Sequence, residues 1–498
     1  MNDVWMKRRD FLRAAGAGAI SLAWTGHALA QERSSSGESS TRPNIIFILA
    51  DDLGYGDVSC LNPDSKITTP NMDRLAAEGM RFTDAHSGSA VCTPTRYGVV
   101  TGRYCWRSAL KKGVLWGYSP MLIEPGRMTV ASLLKEHGYA TCCFGKWHLG
   151  LGNEAKTDYG KPLRPGPVDV GFEYFFGIPA SLDMEPYLYV ENDHPVEAPT
   201  EHIERSPHPR FWRAGPIAPG FRHIDVLPEL TKRATRWIED HAKAQPQRPF
   251  FMYFPLTGPH TPVLPVAMAK DKSRAGEYGD FVWQVDWTIG QVMETVERLG
   301  IAGNTLIMVT SDNGPENITQ ALVPDYGHYS NYHFRGRKRD AWEGGHRVPF
   351  FARWPGRIKP GSVCEQTICL TDLMATCAEI VGASLPNNAA EDSYSILPAL
   401  LGKTLDGPIR EATVHHSANG EFAIRQGHWK LILCRGSGGN RYTTGPNAIQ
   451  DDDPPGQLYD LSADVVERRN LYRERPEIVQ RLTALMDQYK REGRSRPV

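Results

Sequence analysis

The stretch that decides the fold is Asn44-Ile45-Ile46-Phe47-Ile48-Leu49-Ala50-Asp51-Asp52. Its apolar residues run from Ile45 to Ala50 without a polar interruption. A strand half open to water would alternate, so an unbroken run describes one buried on both faces, as in parallel sheets covered by helices. Thr-Leu-Ile-Met-Val-Thr at 305–310 reads the same way, and Phe-Phe-Met-Tyr-Phe at 250–254 gives a third strand. Helical patterns fall between and around them, at 71–78, 129–137, 227–241 and 281–299. Strands alternating with helices predict an α/β domain over 43–385, with a large, mainly parallel central sheet flanked by helices. Beyond it the texture changes to short strand-like runs at 413–416, 421–425, 429–434 and 457–461, followed by a helical stretch at 476–491. These predict a smaller C-terminal α+β subdomain over 386–498, an antiparallel sheet with a terminal helix.

Composition narrows the function classes. The 498 residues carry 56 Lys+Arg against 57 Asp+Glu, a net charge of −1, with 41% hydrophobic and 23% charged residues. That usage is globular, and the balance of charge removes any global case for binding nucleic acid or an anionic membrane surface. Near the N-terminus, Lys7-Arg8-Arg9-Asp10-Phe11-Leu12 precedes a weakly apolar stretch at 14–24 and then Ala28-Leu29-Ala30. Paired arginines, a short apolar core and a small-x-small cleavage site read as a twin-arginine signal peptide over 1–30, cut near Ala30. The apolar run is about half the ~20 residues that span a bilayer, and no later segment reaches that length. The expected mature protein is soluble and exported, periplasmic or extracellular, with a Ser-rich linker at 31–42. Nine cysteines are too few for a disulfide scaffold. None has zinc spacing, and their pairing is left open.

Chemistry enters where strands end. The first strand runs directly into Asp51-Asp52-Leu53-Gly54-Tyr55-Gly56-Asp57, and the strand at 305–310 into Ser311-Asp312-Asn313-Gly314. Strand C-terminal ends are where α/β sheets carry their ligands. Adjacent carboxylates repel, and a cation relieves them. Asp51, Asp52 and Asp312, with the amide oxygen of Asn313, make a hard oxygen site that suits calcium, with magnesium second. Next comes Cys92-Thr93-Pro94-Thr95-Arg96, continuing to Gly102-Arg103. On its own a cysteine in such a pattern is equally a buried structural thiol.

Residues 92–103 resemble the signature of type I sulfatases, the formylglycine-dependent branch of the alkaline phosphatase superfamily. The resemblance covers most of the chain. Pro70-Asn71-Met72-Asp73-Arg74-Leu75 is similar to the family's first helix, and Gly145-Lys146-Trp147-His148-Leu149-Gly150 to its second active-site motif. Gly258-Pro259-His260-Thr261-Pro262, Asp312-Asn313-Gly314, and Lys338 followed by Trp342-Glu343-Gly344-Gly345 match further motifs. Gln457-Leu458-Tyr459-Asp460-Leu461 resembles its C-terminal segment. Thr95 departs from the pattern, which more often has Ser or Ala there, while Cys92, Pro94 and Arg96 are intact.

The resemblance implies an alkaline-phosphatase-like fold and hydrolysis of sulfate monoesters. It implies conversion of Cys92 to the aldehyde formylglycine by a maturation enzyme, and a calcium ion held by Asp51, Asp52, residue 92, Asp312 and Asn313. One hydroxyl of the hydrated aldehyde attacks sulfur, and the second expels sulfate. Lys146, Lys338 and Arg96 become the cations around sulfate, His148 the base for the second hydroxyl, and His260 the acid for the leaving oxygen. Ser181, in Pro179-Ala180-Ser181, aligns with a sulfate-contacting serine. The loop at 183–223 is rich in Pro, His and aromatics and that at 326–339 in Tyr, His and Arg, which suits a sulfated poly- or oligosaccharide, with aryl sulfates as a side activity. Two alternatives share this scaffold: a phosphonate monoester or phosphodiester hydrolase, and a catalytically silent binder of sulfated glycans.

Overall fold

A computed structural model describes residues 42–497. The expected signal peptide and nearly all of the linker lie outside them. At the heart of a ten-stranded sheet are five parallel strands in the order Thr305–Ser311, Asn44–Asp51, Phe250–Pro259, Ala140–Lys146 and Tyr174–Ile178. Asn44–Asp51 is central, and its register pairs Ile45 with both Leu306 and Phe251. Its apolar side chains are fully buried, as an unbroken apolar run requires. Antiparallel neighbours close the sheet: Phe350–Arg353 and then Met80–Phe82 on one side, Val190–Glu191 on the other. The helices Val226–Ala244 and Gly276–Arg298 bury Leu230, Ala234 and Ile238, and Val282, Val285 and Ile289, in the same core.

Parallel pairing explains how motifs scattered over some 260 residues of sequence meet. Every parallel strand delivers its C-terminal end to the same edge of the sheet. That edge carries Asp51, Lys146, Pro259 and Ser311 as final strand residues, and the chemistry follows directly after them.

A second sheet is antiparallel, in the order Thr413–His416, Phe422–Gln426, Trp429–Ile432 and Gln457–Asp460. The terminal helix Pro476–Glu492 buries Leu482, Leu485, Met486 and Tyr489 with Val414, Ile424, Leu431 and Leu458 of that sheet. Arg42–Val498 forms one compact unit.

Three differences from the sequence expectation have physical causes. Ala140–Lys146 and Tyr174–Ile178 are central strands that the pattern did not announce. Thr141-Cys142-Cys143 lacks a β-branched apolar run, and Tyr174–Ile178 is a short aromatic stretch with Gly177 inside it. The third strand continues to Pro259, because pairing with Asn44–Asp51 extends past the apolar run. The helix expected at 281 starts at Gly276, through a polar first turn that periodicity does not register. All nine cysteines are unpaired thiols. Among the described residues, no helix is long and apolar enough to cross a membrane.

Candidate active site

Successive residues of a strand point to opposite faces, so Asp51 and Asp52 could not share a site if the strand ran straight on. Asp52 adopts a left-handed conformation, φ +64°, and the chain turns there. Both carboxylates are buried. Lys146 Nζ donates to Asp51 Oδ2 at 2.7 Å, and Lys338 Nζ to Asp52 Oδ2 at 2.7 Å. Asn313 Nδ2 donates to Asp52 Oδ1 at 2.7 Å, and the Asp52 amide to Asp312 Oδ1 at 3.1 Å. The buried guanidinium of Arg96 donates to Asp312 Oδ2 at 2.7 Å and to the Lys146 carbonyl at 3.0 Å, and lies 3.4 Å from Asp51 Oδ1. Burial works against its charge, but Asp312 and Asp51 outweigh that and hold it protonated. The strand-end residues predicted from sequence therefore form one cluster. Gly145 is part of its construction: φ is +128°, and a Cβ there would sit 1.8 Å from the Pro255 carbonyl oxygen.

Cys92 is the first residue of the helix Cys92–Thr101, with an extended Val91 before it. The helix start leaves backbone N–H groups unpaired and carries the positive end of the helix dipole, both favourable to an anion. Pro94 lies in the first turn, where its missing N–H breaks no helical hydrogen bond. Thr95 Oγ1 donates to the Ser89 carbonyl at 3.1 Å, so the departure from Ser or Ala is absorbed by a local bond. Burial pushes the Cys92 thiol up, and Lys146 and Lys338 only partly oppose it. As a cysteine, this residue is a poor thiolate nucleophile.

Two histidines complete the floor. His148, at φ +55°, donates from Nε2 to the Leu115 carbonyl at 2.8 Å. Burial, then Lys146 and Arg96, hold its pKa well below the usual value, so the ring is neutral. Nδ1 is then an acceptor, and it is buried without a partner. His260 donates from Nδ1 to the Thr261 carbonyl at 2.6 Å. Its Nε2 lies 3.4 Å from Ser181 Oγ and 3.6 Å from Asp52 Oδ2. Donor atoms of Asp51, Asp52 and His260 all lie within 4.8 Å of one another.

The donor set fits a hard cation. Asp51 Oδ1 and Asn313 Oδ1 are buried and accept no hydrogen bond, which is costly unless something else occupies them. Burial and the neighbouring Asp51 push the Asp312 carboxyl up despite Arg96, and a cation among the carboxylates would relieve that repulsion. Three carboxylates and an amide oxygen are the ligands calcium takes.

Cys92, His260 and Lys338 line a cleft of about 660 Å³. Four further residues there were not individually singled out from sequence. Glu316 Oε2 accepts from Lys338 at 3.1 Å and from Arg339 at 2.8 Å. Asp183 pairs with Arg213. The available signals were proximity, since Asp183 follows Ser181 by two positions and Glu316 follows Asn313 by three, and the composition of the loops at 183–223 and 326–339 that hold Asp183, Arg213 and Arg339.

Residues 43–383 match the Sulfatase family model. The chain belongs to the sulfatase family. It is a sulfuric ester hydrolase of the alkaline phosphatase superfamily. An N-acetylgalactosamine-6-O-sulfatase of Bacteroides thetaiotaomicron is 37% identical, over 91% of this chain and 94% of the relative. Human arylsulfatase A is 35% identical, over 89% and 87%. A solved structure from a study of glycosaminoglycan metabolism by Bacteroides thetaiotaomicron superposes with a TM-score of 0.80 at 34% identity, covering 91% of this chain and 100% of the other.

Proposed function

We propose that this sulfatase is exported and removes sulfate from a sulfated poly- or oligosaccharide of the glycosaminoglycan type, with side activity on aryl sulfates. The observation that carries the reading is Cys92 at a helix start lining the cleft, with the buried ammonium groups of Lys146 and Lys338 and the carboxylates of Asp51 and Asp312 acting on it. The saccharide part is supported by the relative named for N-acetylgalactosamine-6-O-sulfate chemistry. Export is supported by the arginine pair and the Ala28-Leu29-Ala30 cleavage pattern.

A maturation enzyme with an external two-electron oxidant would convert the Cys92 side chain to the aldehyde formylglycine, its sulfur leaving as sulfide, and the hydrate would offer one hydroxyl to sulfur, displacing the sugar oxygen, and a second to release sulfate. Asp51, Asp52, Asp312, Asn313 and residue 92 would hold a calcium ion, which would supply Lewis-acid activation and a counter-charge for sulfate. Lys146 and Lys338 bind the sulfate oxygens with fixed charge, and Arg96 ties residue 92's helix to the carboxylate cluster. His148 Nδ1 accepts the proton of the second hydroxyl. His260 Nε2 gives a proton to the departing sugar oxygen, with Ser181 beside it to orient sulfate.

Sulfate release from oligosaccharides carrying N-acetylgalactosamine 6-sulfate, followed before and after a chelator and on adding back calcium, tests the reading. Activity lost to chelation and recovered with calcium is expected. Aryl sulfate turnover with no release from any sulfated saccharide would overturn the substrate assignment.

A further inference from the structure

The cleft that holds Lys338 also carries an arginine arrangement that the chemistry at residue 92 does not use. The Arg213 guanidinium lies 4.8 Å from the ring centre of Trp116 and 5.1 Å from that of Phe211. Arg205 covers Phe211 at 5.2 Å, and His208 stacks on the same ring at 4.7 Å. All five line the cleft. Trp116 is 49% exposed, although a large aromatic surface open to water is normally covered. Packing on these rings holds two guanidinium groups in place in the cleft, where a free flexible cation would have to be ordered on binding.

Their hydrogen-bonding capacity is largely unspent. Arg213 gives only one nitrogen, Nη1, to Asp183, leaving Nε and Nη2 without a protein partner among the described residues. Arg205 has neither a hydrogen bond nor an ion pair there. The other charged groups of the cleft are already matched, since Glu316 is held by both Lys338 and Arg339. The cleft therefore carries net positive charge alongside Cys92, His260 and Lys338. A cleft of about 660 Å³ is also larger than one sulfate ester needs.

We infer that Arg213 and Arg205 form a second anion subsite, and that the substrate is a saccharide with a further anionic group, a carboxylate or a second sulfate, on the sugar next to the one losing sulfate. This assignment rests on the sulfatase reading above. The sugar bearing that group stacks on Trp116, and its anion takes the free N–H groups of Arg213 in a forked pair, with Arg205 adding charge.

The test measures affinity and turnover separately. Cys92→Ala enzyme, which cannot turn over, is titrated with three disaccharides containing N-acetylgalactosamine 6-sulfate: one joined to a uronic acid, one with that carboxyl reduced to an alcohol, and one with a second sulfate in its place. At low salt, the better of the two dianionic forms is expected to bind at least about tenfold more tightly than the reduced form. The form that gains identifies the anion. Salt at 0.5 M should erase most of the difference through screening. Adding Arg205→Ala or Arg213→Ala should cut the preference severalfold, and Arg213→Lys should restore part of it, because charge returns without the fork. Arg205 makes no hydrogen bond, so its variant tests the subsite without disturbing the fold. Equal affinity for all three disaccharides, or a preference that survives both alanine substitutions, overturns the subsite. The parent enzyme's hydrolysis of p-nitrophenyl sulfate reports independently on the sulfatase reading, and its failure would leave the binding comparison intact.

Discussion

Two groups of buried charges lie close to the segment that leads into Cys92. On the cleft floor, Asp51, Asp52 and Asp312 meet Lys146, Lys338 and Arg96. Where the second sheet meets the first, Asp84, Glu343 and Glu467 meet Arg347, Arg425 and Lys430, with His86, His346 and His415 packed among them. The residue types are the same, but the pairing is not. At the junction, Glu343 takes Lys430 at 3.0 Å and Arg347 at 2.7 Å, and Asp84 takes Arg347 at 2.9 Å and Arg425 at 2.6 Å. Asp84 and Glu343 stay well below the ordinary carboxylate range, their cations outweighing burial. On the floor, Asp51 Oδ1, Asn313 Oδ1 and His148 Nδ1 are left unpaired, and the Asp312 carboxyl is pushed up. The junction is not fully matched either, since His415 Nε2 has no partner and the Glu467 carboxyl is also pushed up; the floor differs in leaving two oxygens of one carboxylate–amide cluster, Asp51 Oδ1 and Asn313 Oδ1, free to take a cation.

The largest expected contrast sets one substitution in each cluster side by side. Cys92→Ala should lower turnover by at least about a thousandfold while leaving the melting temperature nearly unchanged. Lys430→Met should do the reverse. It strips Glu467 of its ammonium and Glu343 of one of two cations, a loss of about 3–5 kcal/mol, with turnover per folded molecule largely retained. Thermal melts and active-site-normalised rates on both variants check this. A Lys430→Met protein that is stable but inactive would break the comparison.

A smaller effect sharpens the roles on the floor. His260→Ala should cost about 10²–10⁴-fold on a sugar sulfate and distinctly less on p-nitrophenyl sulfate, whose leaving group needs little protonation. Equal losses on the two esters would remove the acid role.

The smallest effect is one of pH at the junction. Glu467 shares Lys430 with Glu343, and burial pushes its carboxyl up to about 7 from the usual 4.5. A raised carboxyl favours the protonated form in the fold. Its contribution to stability is therefore complete below about pH 4.5 and lost as pH rises through about 7. Glu467→Gln mimics the protonated form, so its stability relative to the parent should improve between pH 5 and pH 8, by on the order of 1 kcal/mol. Melting temperatures across that range decide it, and a constant difference would count against a titrating Glu467.

Much of this site was legible in the sequence because parallel topology turns strand ends into one surface. Once Ile45–Ala50 and 305–310 read as buried strands, Asp51, Asp52, Asp312 and Asn313 had to emerge at a common edge. Family motifs supplied Cys92, Lys146, His148, His260 and Lys338, and the structure brings them to that edge. Glu316 was not legible, and within the loop at 183–223 the pairing of Asp183 with Arg213 was not either, since these depend on charge neighbours that no spacing encodes: Lys338 lies 22 positions from Glu316, and Arg213 lies 30 from Asp183. The junction cluster was hidden for the same reason, joining His86, Glu343, Lys430 and Glu467 from distant segments. The two unannounced strands carried too little apolar pattern to read, yet one of them presents Lys146.

The central claim is that residue 92 acts as an aldehyde made from cysteine. Peptide mass spectrometry across residues 82–96 tests it most directly, on active enzyme purified from a host able to mature sulfatases. The account predicts a peptide with the mass of an aldehyde or its hydrate at position 92. An unmodified thiol there, in enzyme that hydrolyses sulfate esters at full rate, would contradict it.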